Sequence, residues 1–216
     1  MDFEQARFNM IEQQIRPWDV LDHDVLELLG AVKREDFVPA AYRHLAFSDL
    51  DIPLPCGQTM LSPKLEARML QELAPHEHEN VLEIGTGSGF MAALLGHCAA
   101  QVISVEIHPE LAETAQHKLR AAGVNNVSVR VLDAALELPQ GEFDAIMVSG
   151  SLAAIPPALV AKLKLGGRLC AIVGQAPMMR AQLLTRIGER ESKVVDLFDT
   201  MAPRLQGFPE PSTFRF

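Results

Sequence analysis

One segment, residues 81–89, constrains the fold of this chain more than any other. It reads Val-Leu-Glu-Ile-Gly-Thr-Gly-Ser-Gly, and the apolar run 91–95 follows it. Apolar residues of this kind are typical of a buried strand. Alternating glycines let the backbone reverse sharply and approach a ligand without an intervening Cβ, and the next helix offers free N–H groups at its first turn. The segment therefore predicts a strand–turn–helix unit that binds a nucleotide-like ligand.

The chain beyond residue 76 alternates between strand and helix patterns. The apolar spacing predicts helices at 90–99, 109–122 and 157–164, with strands at 80–85, 101–105, 127–132, 143–148, 167–174, 181–187 and 193–198. We interpret Gly166 and Gly167 as the cap that ends the 157–164 helix. Alternating strands and helices predict a doubly wound α/β fold with a mostly parallel, seven-stranded sheet, and the last two strands predict an antiparallel edge.

The first 76 residues show a different pattern. Helical spacing is visible over 3–15, over 25–32 after the cap candidate Asp22, and over 63–73, and residues 37–63 are rich in loop signals. We therefore divide the chain into an N-terminal helical and loop segment, 1–76, which packs on the core, and a ligand-binding core, 77–216. At 216 residues, two independently folded domains are not expected.

Composition excludes several classes of protein. The formal net charge is −9 without a clustered basic run, which argues against a nucleic-acid partner. No apolar stretch has the length of a membrane span, and the first residues lack a signal-peptide pattern, so we expect a cytoplasmic protein without a membrane partner. The three cysteines, Cys56, Cys98 and Cys170, form no CxxC pair, and we expect no metal site.

The spacing of the glycines bears on which cofactor binds. A dinucleotide fingerprint is GxGxxG, but this chain reads GxGxG and has Phe90 at the next position. S-adenosylmethionine (SAM) carries no pyrophosphate, and it needs an open turn and acidic partners. Glu83 is the candidate for its ammonium group, Glu106 for its ribose hydroxyls and Asp133 for its adenine amino group. Glu106 could instead be a solvated residue before a helix, and Asp133 a turn residue. The predicted cofactor-binding residues are Glu83, Gly85, Thr86, Gly87, Gly89, Glu106, Ile107, Asp133 and Ala134.

These motifs and their flanks resemble the protein-L-isoaspartate O-methyltransferase family of class I SAM-dependent methyltransferases. The resemblance covers most of the chain: residues 10–15, 32–39 and 57–59, the 81–89 segment, 143–146, 155–156 and 165–169. It implies a monomeric cytoplasmic enzyme that methylates the free α-carboxylate of isoaspartyl residues in damaged proteins, allowing repair through a succinimide. The C-terminal residues, from Phe208 to Phe216, do not align clearly with the family.

One departure from the family pattern concerns the methyl acceptor. Where the family reads Gln-Thr-Ile-Ser-Gln-Pro, residues 58–63 read Gln-Thr-Met-Leu-Ser-Pro, so Leu61 replaces the family serine. Thr59 and Ser62 are the candidates for the acceptor side, and Ser62 can replace the missing hydroxyl only if the loop shifts by one residue. Three alternatives stay open: a methyltransferase for another acceptor, a non-catalytic SAM-binding module and, least favoured, a NAD-dependent oxidoreductase.

Overall fold

The structure, a computed structural model, describes residues 2–210, and it is built around one large sheet. Within that range seven strands pair in the order β5-β4-β3-β6-β7-β8-β9. The five strands β3 to β7 run parallel to one another, and β8 and β9 add an antiparallel edge next to β7. The strands are β3 (Asn80–Ile84), β4 (Gln101–Glu106), β5 (Val127–Val131), β6 (Phe143–Leu152), β7 (Leu163–Gln175), β8 (Met178–Arg186) and β9 (Ser192–Thr200). The predicted α/β sheet with its antiparallel edge is confirmed.

Helices cover the sheet, and the N-terminal segment contributes several of them. A two-stranded ribbon, β1 (Ile52–Pro53) with β2 (Thr59–Met60), precedes the main sheet. The α-helices are α1 (Phe3–Met10), α2 (His23–Ala31), α3 (Arg34–Phe37), α4 (Pro63–Leu73), α5 (Phe90–Cys98), α6 (Pro109–Ala121) and α7 (Pro157–Ala161). Asp22 caps α2 as expected, because its carboxylate accepts the N–H groups of Asp24 and Val25.

Two groups of buried side chains hold these layers together. The larger group joins α1, α2 and α4 to α5, α6 and one face of the sheet, with Met10, Leu70 and Leu94 among its members. The smaller group lies among alternate residues of the central strands, such as Leu82 and Ile146. The N-terminal segment thus contributes directly to the core beside the sheet. The proposed division near residue 76 stays a prediction.

Several element boundaries differ from the sequence-based expectation, and those of α7 and β7 have a clear structural reason. The predicted 157–164 helix ends at Ala161, and Gly166 and Gly167 lie inside β7 rather than at a helix cap. The β6–β7 register jumps from Phe143 opposite Leu163 to Ala145 opposite Arg168, so residues 164–167 form a bulge. A Cβ at residue 167 would stand 2.9 Å from the Lys164 carbonyl oxygen, which explains the glycine there.

The first predicted helix also differs. It is α-helical only to Met10, then continues as a five-residue π-helical turn over Ile11–Ile15 and a 3-10 turn over Arg16–Trp18. Apolar spacing cannot separate the α-helical from the π-helical turn, because residues four apart, such as the buried Ile11 and Ile15, lie on nearly the same side of both.

Candidate active site

The candidate site lies where the winding of the sheet changes direction. The chain runs outward from β3 through β4 to β5, then crosses back to place β6 on the other side of β3. Ligands of doubly wound sheets bind beyond the carboxyl ends of strands at such a point. The glycine turn follows β3 here, and its Gly85 and Gly87 have φ angles of +91° and +52°, which residues with a Cβ rarely adopt.

A cleft of about 510 Å³, here called the main cleft, opens beside this turn. Predicted residues from three strand ends line it together: Gly85 and Gly87 after β3, Glu106 and Ile107 at the end of β4, and Asp133 and Ala134 after β5. The structure therefore brings six of the predicted cofactor residues to one cavity.

Two backbone N–H groups fix the position of the Glu106 carboxylate. Its Oε2 accepts the N–H of Gly87 at 2.9 Å, and its Oε1 accepts the N–H of His108 at 3.1 Å. The residue is only 5% exposed, yet it borders the cleft. A carboxylate has about four acceptor positions, so each oxygen retains capacity for one donor from a ligand. This geometry suits a pair of neighbouring hydroxyl groups.

One wall of the main cleft is formed by the segment that follows β9. Leu205, Gln206 and Phe208 line the cleft. The segment is fixed to β6 at Ser151, whose N–H donates to the Pro203 carbonyl at 2.8 Å and whose carbonyl accepts the N–H of Leu205 at 3.0 Å. Residues 203–208 therefore form a wall of the cleft, here called the apolar wall after Leu205 and Phe208. Leu205 packs directly against the glycine turn, because a Cβ at Gly85 would stand 2.9 Å from its Cδ2.

A second cavity of about 290 Å³, here called the inner pocket, lies on the other side of the turn. It shares Thr59, Gly85, Gly87 and Ser149 with the main cleft, so the two cavities are adjacent and meet at these residues. Its remaining walls come from β2, the loop before α4, α4 itself, β3 and the turn into α5: Met60, Leu61, Glu66, Glu83, Thr86, Ser88 and Met91. The inner pocket thus presents polar side chains next to one end of the main cleft.

Glu83 is the most perturbed acid of this inner pocket. It is fully buried, and its carboxyl oxygens accept the hydroxyls of Ser104 at 2.5 Å and Ser149 at 2.8 Å. Burial raises the pKa of Glu83 to about 8, because desolvation outweighs the two hydroxyl donors, and the nearby Glu66 adds to the rise. Without a ligand, Glu83 is therefore mostly protonated at neutral pH.

Part of the loop that carries the predicted acceptor residues lines the inner pocket. Thr59 lines both cavities, whereas Leu61 lines the inner pocket and is 4% exposed. Ser62 occupies the N-cap position of α4, and its backbone N–H donates to Asp51 at 2.9 Å. Of the two residues that compete for the family serine's place, the structure puts Leu61 beside the cofactor turn.

Two predicted residues lie outside both cavities, and several lining residues were missed. Neither Gly89 nor Ser62 is among the residues that line the cavities in the described part of the chain. At position 89 a Cβ would stand 3.0 Å from the Cβ of Ala115, so this glycine allows α5 to approach α6. Ser149, at the switch point on β6, could have been found from the strand-end rule, but Leu205 carried no signal in the sequence.

The described residues, 2–210, offer no metal-ligand group within the two cavities. One side-chain group in that range has ligand atoms close enough for a metal ion, namely His23, Asp24 and Glu27. All three are exposed on α2 and line neither cavity. None of the described helices combines the length and apolar character needed to cross a bilayer.

Comparison with known proteins identifies relatives of the whole arrangement. The family model for protein-L-isoaspartate(D-aspartate) O-methyltransferase matches residues 5–202. A protein-L-isoaspartate O-methyltransferase of Koribacter versatilis is 40% identical over 85% of this chain and 83% of its own length. One of Brucella anthropi is 37% identical over 95% of both chains.

Solved structures agree with this fold. A Plasmodium falciparum chain assigned as a protein-L-isoaspartate O-methyltransferase, crystallised with S-adenosyl-L-homocysteine (SAH), superimposes with a TM-score of 0.79. The match covers 95% of this chain and 99% of the other, and at 18% identity it bears on the fold alone. Together with the family match across most of its length, these findings make the chain a member of the protein-L-isoaspartate(D-aspartate) O-methyltransferase family.

Proposed function

We propose that this chain transfers the methyl group of SAM to the free carboxylate of an isoaspartyl residue in a protein or peptide. The observation that carries the proposal is that two adjacent cavities lie beside the glycine turn and share lining residues there. The main cleft has acids at two strand ends, and the inner pocket lies under the loop that the family uses for its acceptor. A cofactor in the first cavity would present its sulfonium methyl to an acceptor in the second.

The main cleft is assigned to the adenosyl part of SAM. Glu106 would accept the two ribose hydroxyls with the acceptor positions that Gly87 and His108 leave free. The adenine ring would lie between Ile107 and the apolar wall of residues 203–208, with Asp133 near its amino group. Ala134 borders the same cavity, and Gly85 and Gly87 would let the backbone approach the sulfur.

The inner pocket is assigned to the methionine part and to the acceptor. The α-ammonium of SAM beside Glu83 would favour the ionised carboxylate, so cofactor binding should release a proton from Glu83. Thr86 stands next to this acid through Ser104, whose hydroxyl lies 2.5 Å from that of Thr86. The linked hydroxyl groups would hold the carboxyl in one orientation.

Methyl transfer to a carboxylate needs little acid–base help from this site. The reaction is an in-line displacement that quenches the sulfonium charge and the carboxylate charge together, and the acceptor is already ionised at pH 7. Placement and the exclusion of water supply the rate. On the acceptor side, Thr59 offers the hydroxyl that lines both cavities, and Ser62 supports the loop at the start of α4.

A direct test uses a matched pair of peptides and SAM labelled in its methyl group. The isoaspartyl peptide is expected to acquire label as a base-labile ester, and the same sequence with a normal aspartyl residue is not. The proposal fails if the isoaspartyl peptide gains no label above the aspartyl control while SAH binds the chain. Heat-inactivated protein provides the background.

A second candidate function is methyl transfer to a different acceptor, and Leu61 is the observation that favours it. This side chain puts an apolar surface in the inner pocket where the family has a hydroxyl. An acceptor carboxylate left without a hydrogen-bond donor loses roughly 1–3 kcal/mol. Labelled SAM incubated with small carboxylic acids and with protein mixtures would separate the two functions, because transfer to an acceptor other than isoaspartate supports the second.

A further inference from the structure

Arg34 is a fully buried cation that links the acceptor loop to the rest of the site. It lies on the short helix α3 and is 0% exposed. Its Nε donates to the Ala46 carbonyl at 2.9 Å, and its Nη2 donates to the Leu61 carbonyl at 2.6 Å. Its Nη1 forms an ion pair with Glu66 on α4, which is itself 5% exposed. One guanidinium thus holds the backbone of two loops and a side chain of a helix.

The same guanidinium also packs against the helix that follows the glycine turn. Its central carbon lies 4.8 Å from the centre of the Phe90 ring, and Phe90 is the first residue of α5, directly after the glycine turn. Phe90 is 1% exposed and packs edge-on against Phe37 at 5.7 Å. Arg34 therefore joins the loop at Leu61 to the helix whose N-terminus follows the candidate cofactor turn.

These contacts fix which residue of the loop faces the inner pocket. Arg34 holds the carbonyl of Leu61, and Asp51 holds the N–H of Ser62, on the two sides of a single peptide unit. A shift of the loop by one residue, which would bring Ser62 to the position of Leu61, would break both bonds. The register is thus set by Arg34 and Asp51 together.

Packing alone does not require a charged pair at this place. Burying a guanidinium and a carboxylate is costly, and apolar residues of similar volume often stabilise a core equally well. The planar fork of arginine, however, can hold several acceptors in fixed directions, which lysine and apolar side chains cannot do. The arrangement is therefore better explained by geometry than by stability.

We propose that Arg34 and Glu66 are positioning residues that hold the loop 59–62 in register against the cofactor turn, so that the acceptor is aligned with the methyl donor. The proposal rests on the proposed methyl transfer for its kinetic consequence. Its structural consequence, a pinned loop, is independent of the identity of the acceptor. Neither residue is assigned contact with the reacting atoms.

The test replaces the pair by apolar residues of similar size, Arg34→Met with Glu66→Leu, in the full chain. Arg34→Lys serves as a milder variant that keeps the positive charge. The matched control is Arg43→Met with Asp36→Leu, which removes an exposed ion pair, because Arg43 and Asp36 are 48% and 50% exposed. Three quantities are measured: Kd for SAH by calorimetry, kcat and KM for the isoaspartyl peptide, and amide hydrogen exchange by mass spectrometry.

A pinned loop predicts a separation between cofactor binding and turnover. In Arg34→Lys, which leaves Glu66 in the wall of the inner pocket, we expect Kd for SAH to stay within about threefold. In both Arg34 variants we expect kcat to fall by about ten- to a hundredfold, as for a reacting group misplaced by roughly 1 Å. Amide exchange should accelerate over residues 58–62 but not in the second half of α4. The control variant should match the parent protein in all three measurements.

Two results would overturn the proposal. One is an apolar double variant, or a lysine variant if the double variant does not fold, with unchanged exchange over residues 58–62. The other is faster exchange there with parental kcat and KM. If the parent protein itself does not methylate the peptide, the proposed function fails and the exchange experiment alone decides whether Arg34 pins the loop.

Discussion

Removal of the Glu106 carboxylate should weaken cofactor binding strongly, because this side chain has two tasks. It accepts the N–H groups of Gly87 and His108, and it would accept two ribose hydroxyls with its remaining lone pairs. A hydrogen bond to a charged group contributes about 1.5–3 kcal/mol net, so losing two ligand bonds costs about 3–6 kcal/mol. Water entering the space left by alanine would recover part of this energy.

The expected change in affinity follows from these energies. Since about 1.4 kcal/mol corresponds to a tenfold change in Kd, the lower limit of the estimate gives roughly a hundredfold weaker binding of SAH to Glu106→Ala. Glu106→Gln keeps one acceptor oxygen and nearly the same volume, and we expect a loss of about tenfold. Both values come from calorimetric titration of SAH into the purified variants.

A surface variant of the neighbouring helix controls for indirect effects. Glu113 is exposed on α6, and Glu113→Ala should bind SAH as the parent protein does. Thermal unfolding of each variant shows whether the fold is retained. If folded Glu106→Ala binds SAH less than about tenfold more weakly than the parent, the assignment of Glu106 to the ribose is wrong.

Three further perturbations test other parts of the site. Leu61→Ser supplies a hydroxyl donor in the inner pocket, and kcat/KM for the isoaspartyl peptide should rise about tenfold in steady-state assays; a decrease would reject the acceptor assignment. Because the folded pKa of Glu83, about 8, is above the ordinary glutamate value of 4.5, the free energy of unfolding should fall as pH rises between these values. Glu83→Gln should flatten this dependence in urea titrations, and an unaltered pH profile would contradict the raised pKa. Leu205→Ala removes part of the apolar wall of the main cleft, and stopped-flow measurements should show SAH dissociating about three- to tenfold faster, whereas an unchanged rate would mean that Leu205 does not cover the ligand.

The sequence predicted the sheet and the cofactor side of the site because both depend on local patterns. A buried parallel strand, a glycine turn and an acid at the next strand end are each visible within about ten residues. Their meeting at one edge follows from the general rule for doubly wound sheets. Gly85, Glu106 and Asp133 therefore line one cleft, as expected for a common site.

The remaining features depend on contacts between residues far apart in sequence. Arg34 and Glu66 are charged and 32 positions apart, so composition alone favours placing both on the surface. The wall formed by residues 203–208 has no regular periodicity, and it is positioned by contacts with Ser151 on β6 and Gly174 on β7. The end of α7 was misplaced because a bulge after Leu163 let the strand begin earlier than the glycine pair indicated.

The C-terminal segment of the chain is described only in part. The residues from Phe208 to Phe216 do not align clearly with the family, and positions 211–216 lie outside the described residues. Phe208 itself is described, and it lines the main cleft beside Leu205. The part of this segment that the structure describes therefore contributes to the site.

The central claim is that the cleft beside the glycine turn is an adenosylmethionine site. Calorimetric titration of SAH and, separately, of NAD into the unmodified chain tests this claim most directly. We expect saturable binding of one SAH per chain and no comparable binding of NAD. SAH binding should also release a proton, which titrations in buffers of different ionisation enthalpy would measure. Absence of measurable SAH binding by the folded protein would contradict the claim.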